Sequence, residues 1–96
     1  MKPSEALAQH RAEALAIIAK FPVSNPRIFG SVARGEDTDD SDLDILVGHA
    51  GHLSFFDIFR LEENLRQALG VRVDVRTDGE FSERIMKRLQ RDIRPI

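Results

Sequence analysis

The chain has 96 residues, 42% hydrophobic and 31% charged, which is enough for one hydrophobic core and too little for a second, so residues 1–96 are expected to form a single domain. The net charge of −2 offers no global attraction for nucleic acid or an anionic membrane, although nine acidic and five basic residues precede Arg60 and seven acidic and nine basic residues lie from it onward. The absence of cysteine excludes disulfides, thiolate metal sites and cysteine nucleophiles. No apolar run reaches the ~18 residues of a membrane span, and Glu5, Gln9, His10 and Arg11 stand where a signal peptide would be apolar, so a cytoplasmic protein is expected.

After Pro3 and the capping candidate Ser4, one helix is predicted to about Lys20, with Leu7, Ala14, Leu15, Ile18 and Phe21 near one face. The two prolines of "FPVSNP" disfavour helix and lead into a short strand, Arg27 to Phe29. Ser31 to Arg34 reads as one helical turn, and Glu36 to Ser41 as a solvated loop that delivers a second strand, "DLDILV". Ser54 and Asp57 resemble a capping box for a helix over 54–69, in which Ile58, Leu61, Leu65 and Leu69 recur at helical spacing until Gly70 offers a stop. Phe55, Phe56 and Phe59 open that helix and cannot all join its stripe, which leaves one for a partner. "VRVDVRT" alternates as a third strand with one buried face. "FSERIMKRLQRDI" predicts a last helix carrying Ile85, Leu89 and Ile93, with Arg84, Lys87, Arg88 and Arg91 as either its wet face or a contact for a partner or RNA. The expected architecture is α+β in two layers, in the order α-β-α-β-α-β-α, with helices packed on a small sheet.

The chemistry concentrates between Gly30 and Asp44. Asp42 and Asp44 are two apart on a predicted strand, so both carboxylates point to one face while Leu43, Ile45 and Val47 take the other. Two carboxylates so close raise each other's pKa unless a cation lies between them, and an oxygen-only ligand set suits Mg²⁺ or Mn²⁺. Asp74 is the lone acid on the polar face of the third strand. If that strand pairs beside the second, Asp74 completes a three-carboxylate cluster able to hold two metals for nucleotidyl transfer.

Gly30 and Ser31 lie where a strand ends and a helical turn begins, a place for a phosphate, with Gly35 suited to a positive φ at the exit; read alone, Gly-Ser is a common turn. "GSVARGE" has P-loop glycine spacing, but Glu36 and Asp37 occupy the positions that need Lys and Ser or Thr. "DSDLD" opens like an EF-hand loop, but Ile45 and Gly51 stand where Gly and Glu are required. Arg34 meets either the triphosphate or the acidic loop, and "HAGH" reads as a surface loop because no further ligands accompany it.

"GSVARGEDTDDSDLDILV" resembles the signature of the minimal nucleotidyltransferases in the DNA polymerase β-like superfamily. Gly30, Ser31, Ala33, Arg34, Gly35, Ser41, Asp42 and Asp44 fall at the signature positions, and Asp74 lies in an apolar-Asp-apolar strand like the third carboxylate. Arg76 departs from the pattern, which more often has an uncharged residue there; it pairs with either a carboxylate or a phosphate.

The resemblance implies the nucleotidyltransferase fold, with a mixed sheet of three to four strands. It also implies Asp42, Asp44 and Asp74 as catalytic metal ligands, Gly30, Ser31, Arg34 and Ser41 at the nucleotide, ATP as substrate, and Mg²⁺ or Mn²⁺. Chains of this length resemble the antitoxins of two-gene modules whose partner is a HEPN RNase toxin, AMP being transferred to a toxin tyrosine. Neutralisation by binding alone is the alternative. The acidic balance and the lack of a second domain disfavour direct binding of RNA.

Overall fold

The computed structural model describes residues 1–96 as helices α1 (Pro3–Gln9) and α2 (Arg11–Ile18), strand β1 (Ser24–Phe29), helix α3 (Gly30–Ala33), strand β2 (Leu43–Gly48) and helix α4 (Phe55–Leu69). Strand β3 (Val73–Thr77), a 3-10 turn (Asp78–Glu80), helix α5 (Glu83–Leu89) and strand β4 (Arg94–Pro95) complete it. The sheet is mixed, in the order β3-β2-β1-β4. β1 runs antiparallel to both β2 and β4, and β2 runs parallel to β3, the two joined through α4. No helix is long and apolar enough to cross a membrane.

One face of the sheet is covered by α1, α2 and α4. Leu43, Ile45, Val47, Val73 and Val75 meet Leu61, Leu65 and Leu69 of α4 and Ala6, Leu7, Ala14 and Ile18 of α1 and α2 in a single cluster. The helical spacing of the α4 leucines is what aims them there, and each fully buried leucine contributes roughly 1.5–3 kcal/mol. Both ends of α4 are closed as its sequence predicts: the Ser54 hydroxyl accepts from the Asp57 N–H, Asp57 accepts from the Ser54 N–H, and Gly70 takes the left-handed conformation at φ 73°.

The opposite face is covered only in part. Leu46 is fully buried yet lies outside the main cluster. The 3-10 turn packs over β2, Phe81 meets Phe29 edge-on at 6.0 Å, and Arg27 of β1 holds Asp78 at 2.8 Å. The end of this face that carries Asp44 and Asp74 remains open.

Three departures from the sequence reading have tertiary causes. The expected single N-terminal helix is broken at His10, without proline or glycine, and the separate α1 contacts α4 while Asp37 holds its first turn. Pro3 sits in the first turn and Lys2 takes the cap position, so Ser4 is not the cap; its N–H donates to Asp37 Oδ2 at 2.9 Å. The last helix is shorter than expected and buries no residue, with Ile85 43% exposed, and the closing Arg94–Pro95 pairs with β1 instead.

Candidate active site

Asp44 and Asp74 are register partners across the parallel β2–β3 pair, and Phe29 is the partner of Asp44 on its other side. Paired residues share a face, so the two carboxylates stand on neighbouring strands about 4.8 Å apart in backbone spacing. Asp42 precedes β2 by one residue and joins them along the chain. Half-buried Asp44 has its pKa pushed up to about 6, first by burial and then by the charges of Asp74 and Asp42, against the opposing pull of Arg76 and Arg34. The alternation of "DLDILV" and "VRVDVRT" predicts which face these acids occupy; the parallel pairing brings them together.

Gly30 closes the site from the β1 side. Its φ is +71°, and a Cβ there would lie 2.3 Å from Asp44 Oδ2, so a side chain would strain the backbone and push the carboxylate aside. Ser31 follows in the first turn of α3, where leading N–H groups lack intrahelical partners. Gly35, at φ +70°, carries the chain out, with its N–H donated to the Val32 carbonyl and that of Glu36 to the Ser31 carbonyl.

The remaining expected site residues are placed as follows. Arg34 lies 3.4 Å from Glu36 of the acidic loop and is near enough to lower the pKa of Asp44. The Ser41 hydroxyl accepts the Thr38 N–H at 2.9 Å, which folds the loop back on itself before Asp42. Asp39 and Asp40 are exposed as expected of a solvated loop, but Asp37 is 8% exposed and anchors the loop to α1. Burial pushes the Asp37 carboxyl up, but hydrogen bonds from Ser4 and the charge of Lys2 outweigh it and hold the pKa below its ordinary value.

Two arginines that border Asp74 in sequence engage the acids. Arg72 Nε donates to Asp42 Oδ1 at 2.7 Å and its guanidinium also reaches the Asp40 carbonyl. Arg76 Nε donates to Asp74 Oδ2 at 3.1 Å and lies 3.6 Å from Glu80. Arg76 is thus a carboxylate partner, and its pKa is raised by the Asp74 hydrogen bond. Sequence reasoning gave Arg72 no role: the alternation puts Arg72, Asp74 and Arg76 on one face, but the contact with Asp42, 30 residues away, depends on strand order.

The donor set suits a hard divalent ion: three carboxylates, no thiolate and no imidazole among them. No three acidic or imidazole side chains converge on one point in this geometry, because Asp42 and Asp74 are turned to their arginines. Both pairs are substantially exposed, and ion pairs of that kind are worth about 0–1 kcal/mol, so the carboxylates can leave them for a divalent ion at little cost. The chemistry fits the ion once those pairs open.

Comparison with known proteins matches residues 13–94 to the nucleotidyltransferase domain. The protein adenylyltransferase MntA of Thermococcus cleftensis is 38% identical over 74 residues, covering 77% of this chain and 75% of that one. Among solved structures, one named for a minimal nucleotidyltransferase superposes with a TM-score of 0.85 at 36% identity, covering 97% of this chain and 95% of the other. The MNT antitoxin structure in complex with the tri-AMPylated HEPN toxin of Shewanella oneidensis shares the fold, with a TM-score of 0.62 at 20% identity over 90% of this chain and 70% of that one. The family match over most of the chain and the close superposition of the whole fold lead to one conclusion: the chain belongs to the nucleotidyltransferase domain family, in its minimal form.

Proposed function

We propose that this chain is an antitoxin that transfers AMP from ATP to a tyrosine hydroxyl of a HEPN-type toxin. The observation that carries the proposal is the row formed by Asp44 and Asp74, with Gly30 held bare against Asp44. The adenylyltransferase relative supports the reaction, and the antitoxin complex of the same fold supports the partner.

In the proposed site Asp42, Asp44 and Asp74 hold Mg²⁺ or Mn²⁺, and when bound these ions offset triphosphate charge and lower the pKa of the attacking hydroxyl. Gly30 gives the triphosphate access to the backbone at the start of α3, Ser31 donates a hydroxyl to a phosphate oxygen, and Arg34, released from Glu36, adds a cation. Ser41 shapes the loop that presents Asp42. The tyrosine oxygen forms a bond to the α-phosphorus, the bridge between the α- and β-phosphates breaks, pyrophosphate leaves with the electron pair, and the hydroxyl proton passes to water.

Incubation with α-labelled ATP, Mg²⁺ and a HEPN toxin encoded beside the gene is expected to label the toxin with wild-type protein and not with Asp44→Asn. An unlabelled toxin would refute transfer. A second reading, neutralisation by contact alone, is favoured by the arginines that hold two of the three carboxylates. It predicts that Asp42→Asn with Asp44→Asn still protects cells from the toxin.

A further inference from the structure

On the outer side of β3 a hollow of about 400 Å³ opens, and Asp74 is part of its wall. Leu53 just before α4 and Phe55 and Ile58 at its start, with Val75 of β3, make one side apolar. Two N–H groups of this edge strand beside the hollow are already occupied: Val75 donates to Glu62 Oε2 at 2.8 Å and Thr77 to Glu80 Oε2 at 2.6 Å. An incoming strand would find those donors taken, so the hollow is built to receive a side chain and not an added strand.

The apolar surface continues out of the hollow. Phe55, Phe56 and Phe59 are 93%, 78% and 58% exposed, where the sequence led us to expect one. Phe55 lines the hollow and Phe59 is its i+4 neighbour on the same side of α4, so the exposed rings extend the pocket wall across the helix. The charged groups facing the hollow are Glu62, Asp74 and Glu80 against Arg76, with His49 at the margin, and Arg76 is held by both Asp74 and Glu80. That balance attracts a basic partner and repels a polyanion.

We propose that this hollow and the Phe55–Phe59 surface are the docking site for a protein partner that inserts an aromatic side chain bearing a hydroxyl, flanked by apolar and basic residues. The proposal rests on the transfer reading and specifies where the acceptor enters. An aromatic ring fills the apolar wall and its hydroxyl tip reaches toward Asp74, the residue the hollow shares with the carboxylate row. A serine or threonine leaves the wall empty, and a nucleic acid meets three carboxylates.

The test is a ¹H–¹⁵N NMR titration without nucleotide, using a pentapeptide with a central tyrosine, flanking leucines and terminal arginines. Saturable shifts are expected at the amides of Phe55, Val75 and Thr77. Replacing the peptide tyrosine by serine, or Phe55→Ser or Phe59→Ser in the protein, is expected to weaken binding about fivefold or more. Phe55 is nearly bare, so its loss leaves the core intact, which a thermal melt verifies. No shift at millimolar peptide, shifts centred on Gly30–Arg34, or affinity indifferent to both variants would overturn the assignment. So would a dimer in sedimentation that Phe55→Ser dissolves, since a second copy would then be the occupant. No step in the titration needs transfer, so an unlabelled toxin sinks the transfer reading while leaving the docking result in place. Undiminished kcat/KM for toxin labelling by Phe55→Ser and Phe59→Ser sinks docking alone.

Discussion

Gly30, the first residue of α3, stands directly against Asp44 of β2: a Cβ on Gly30 would lie 2.3 Å from Asp44 Oδ2. The clashing atom is the end of a side chain, so Gly30→Ala can be relieved by swinging the carboxylate aside, while the φ of +71° adds about 1–2 kcal/mol of backbone strain. Gly30→Ala is therefore expected to fold with a Tm lowered by several degrees and to lose most toxin labelling, because the displaced group is Asp44. Full activity at reduced Tm would show that the contact has no role in the reaction.

Asp44 itself should cost stability when no divalent ion is present. Its pKa is raised from 3.8 to about 6, so between those values the folded chain keeps a proton that the unfolded chain has lost. Stability in EDTA is then expected to fall as pH rises from about 4 to about 6 and to level off above. Discounted for the half exposure of the group, the fall is about 1 kcal/mol. Asp44→Asn should remove this slope and be the more stable protein at pH 7, while failing to label the toxin. Urea titrations across the pH range check both.

Asp37 has the opposite sign. Its pKa is lowered, so its stabilisation is complete above the unfolded value of 3.8 and is lost as pH falls through the folded one. Removing it frees the Ser4 N–H and releases the acidic loop from α1. Asp37→Ala is expected to destabilise by about 1–2 kcal/mol at pH 7, with faster hydrogen exchange at Ser4 and along Glu36–Asp42. Unchanged exchange in the loop would mean that Asp37 anchors only the helix.

Arg76 competes for Asp74. Arg76→Gln removes a partly exposed ion pair, so stability should change by less than about 1 kcal/mol, while Asp74 becomes free for a cation. Mn²⁺ binding followed by EPR is expected to tighten several-fold. Equal or weaker Mn²⁺ affinity would assign Arg76 a part in orienting Asp74 for the ion.

In the core, Leu65→Ala leaves a cavity between α4 and the rest of the cluster and is expected to cost about 2–5 kcal/mol, measured by chemical denaturation. An equal cost at Phe59→Ala would contradict the exposure of that ring.

Period-two and helical patterns are local and strong, so the sequence by itself determined β2, α4 and β3, both caps of α4, the face on which Asp44 and Asp74 lie, and the positive φ of Gly35. Only tertiary structure decided the rest. Whether Asp74 stands beside Asp44 depends on strand order and register, which no local pattern contains; Leu43 could have met Arg72 instead of Val73 and turned Asp74 away. The burial of Asp37, the break at His10, the arginine partners of Asp42 and Asp74, and the exposure of all three phenylalanines likewise follow from which surfaces meet across the chain. Side-chain chemistry can name the ligands of a reaction centre, but their convergence is a property of the packed sheet.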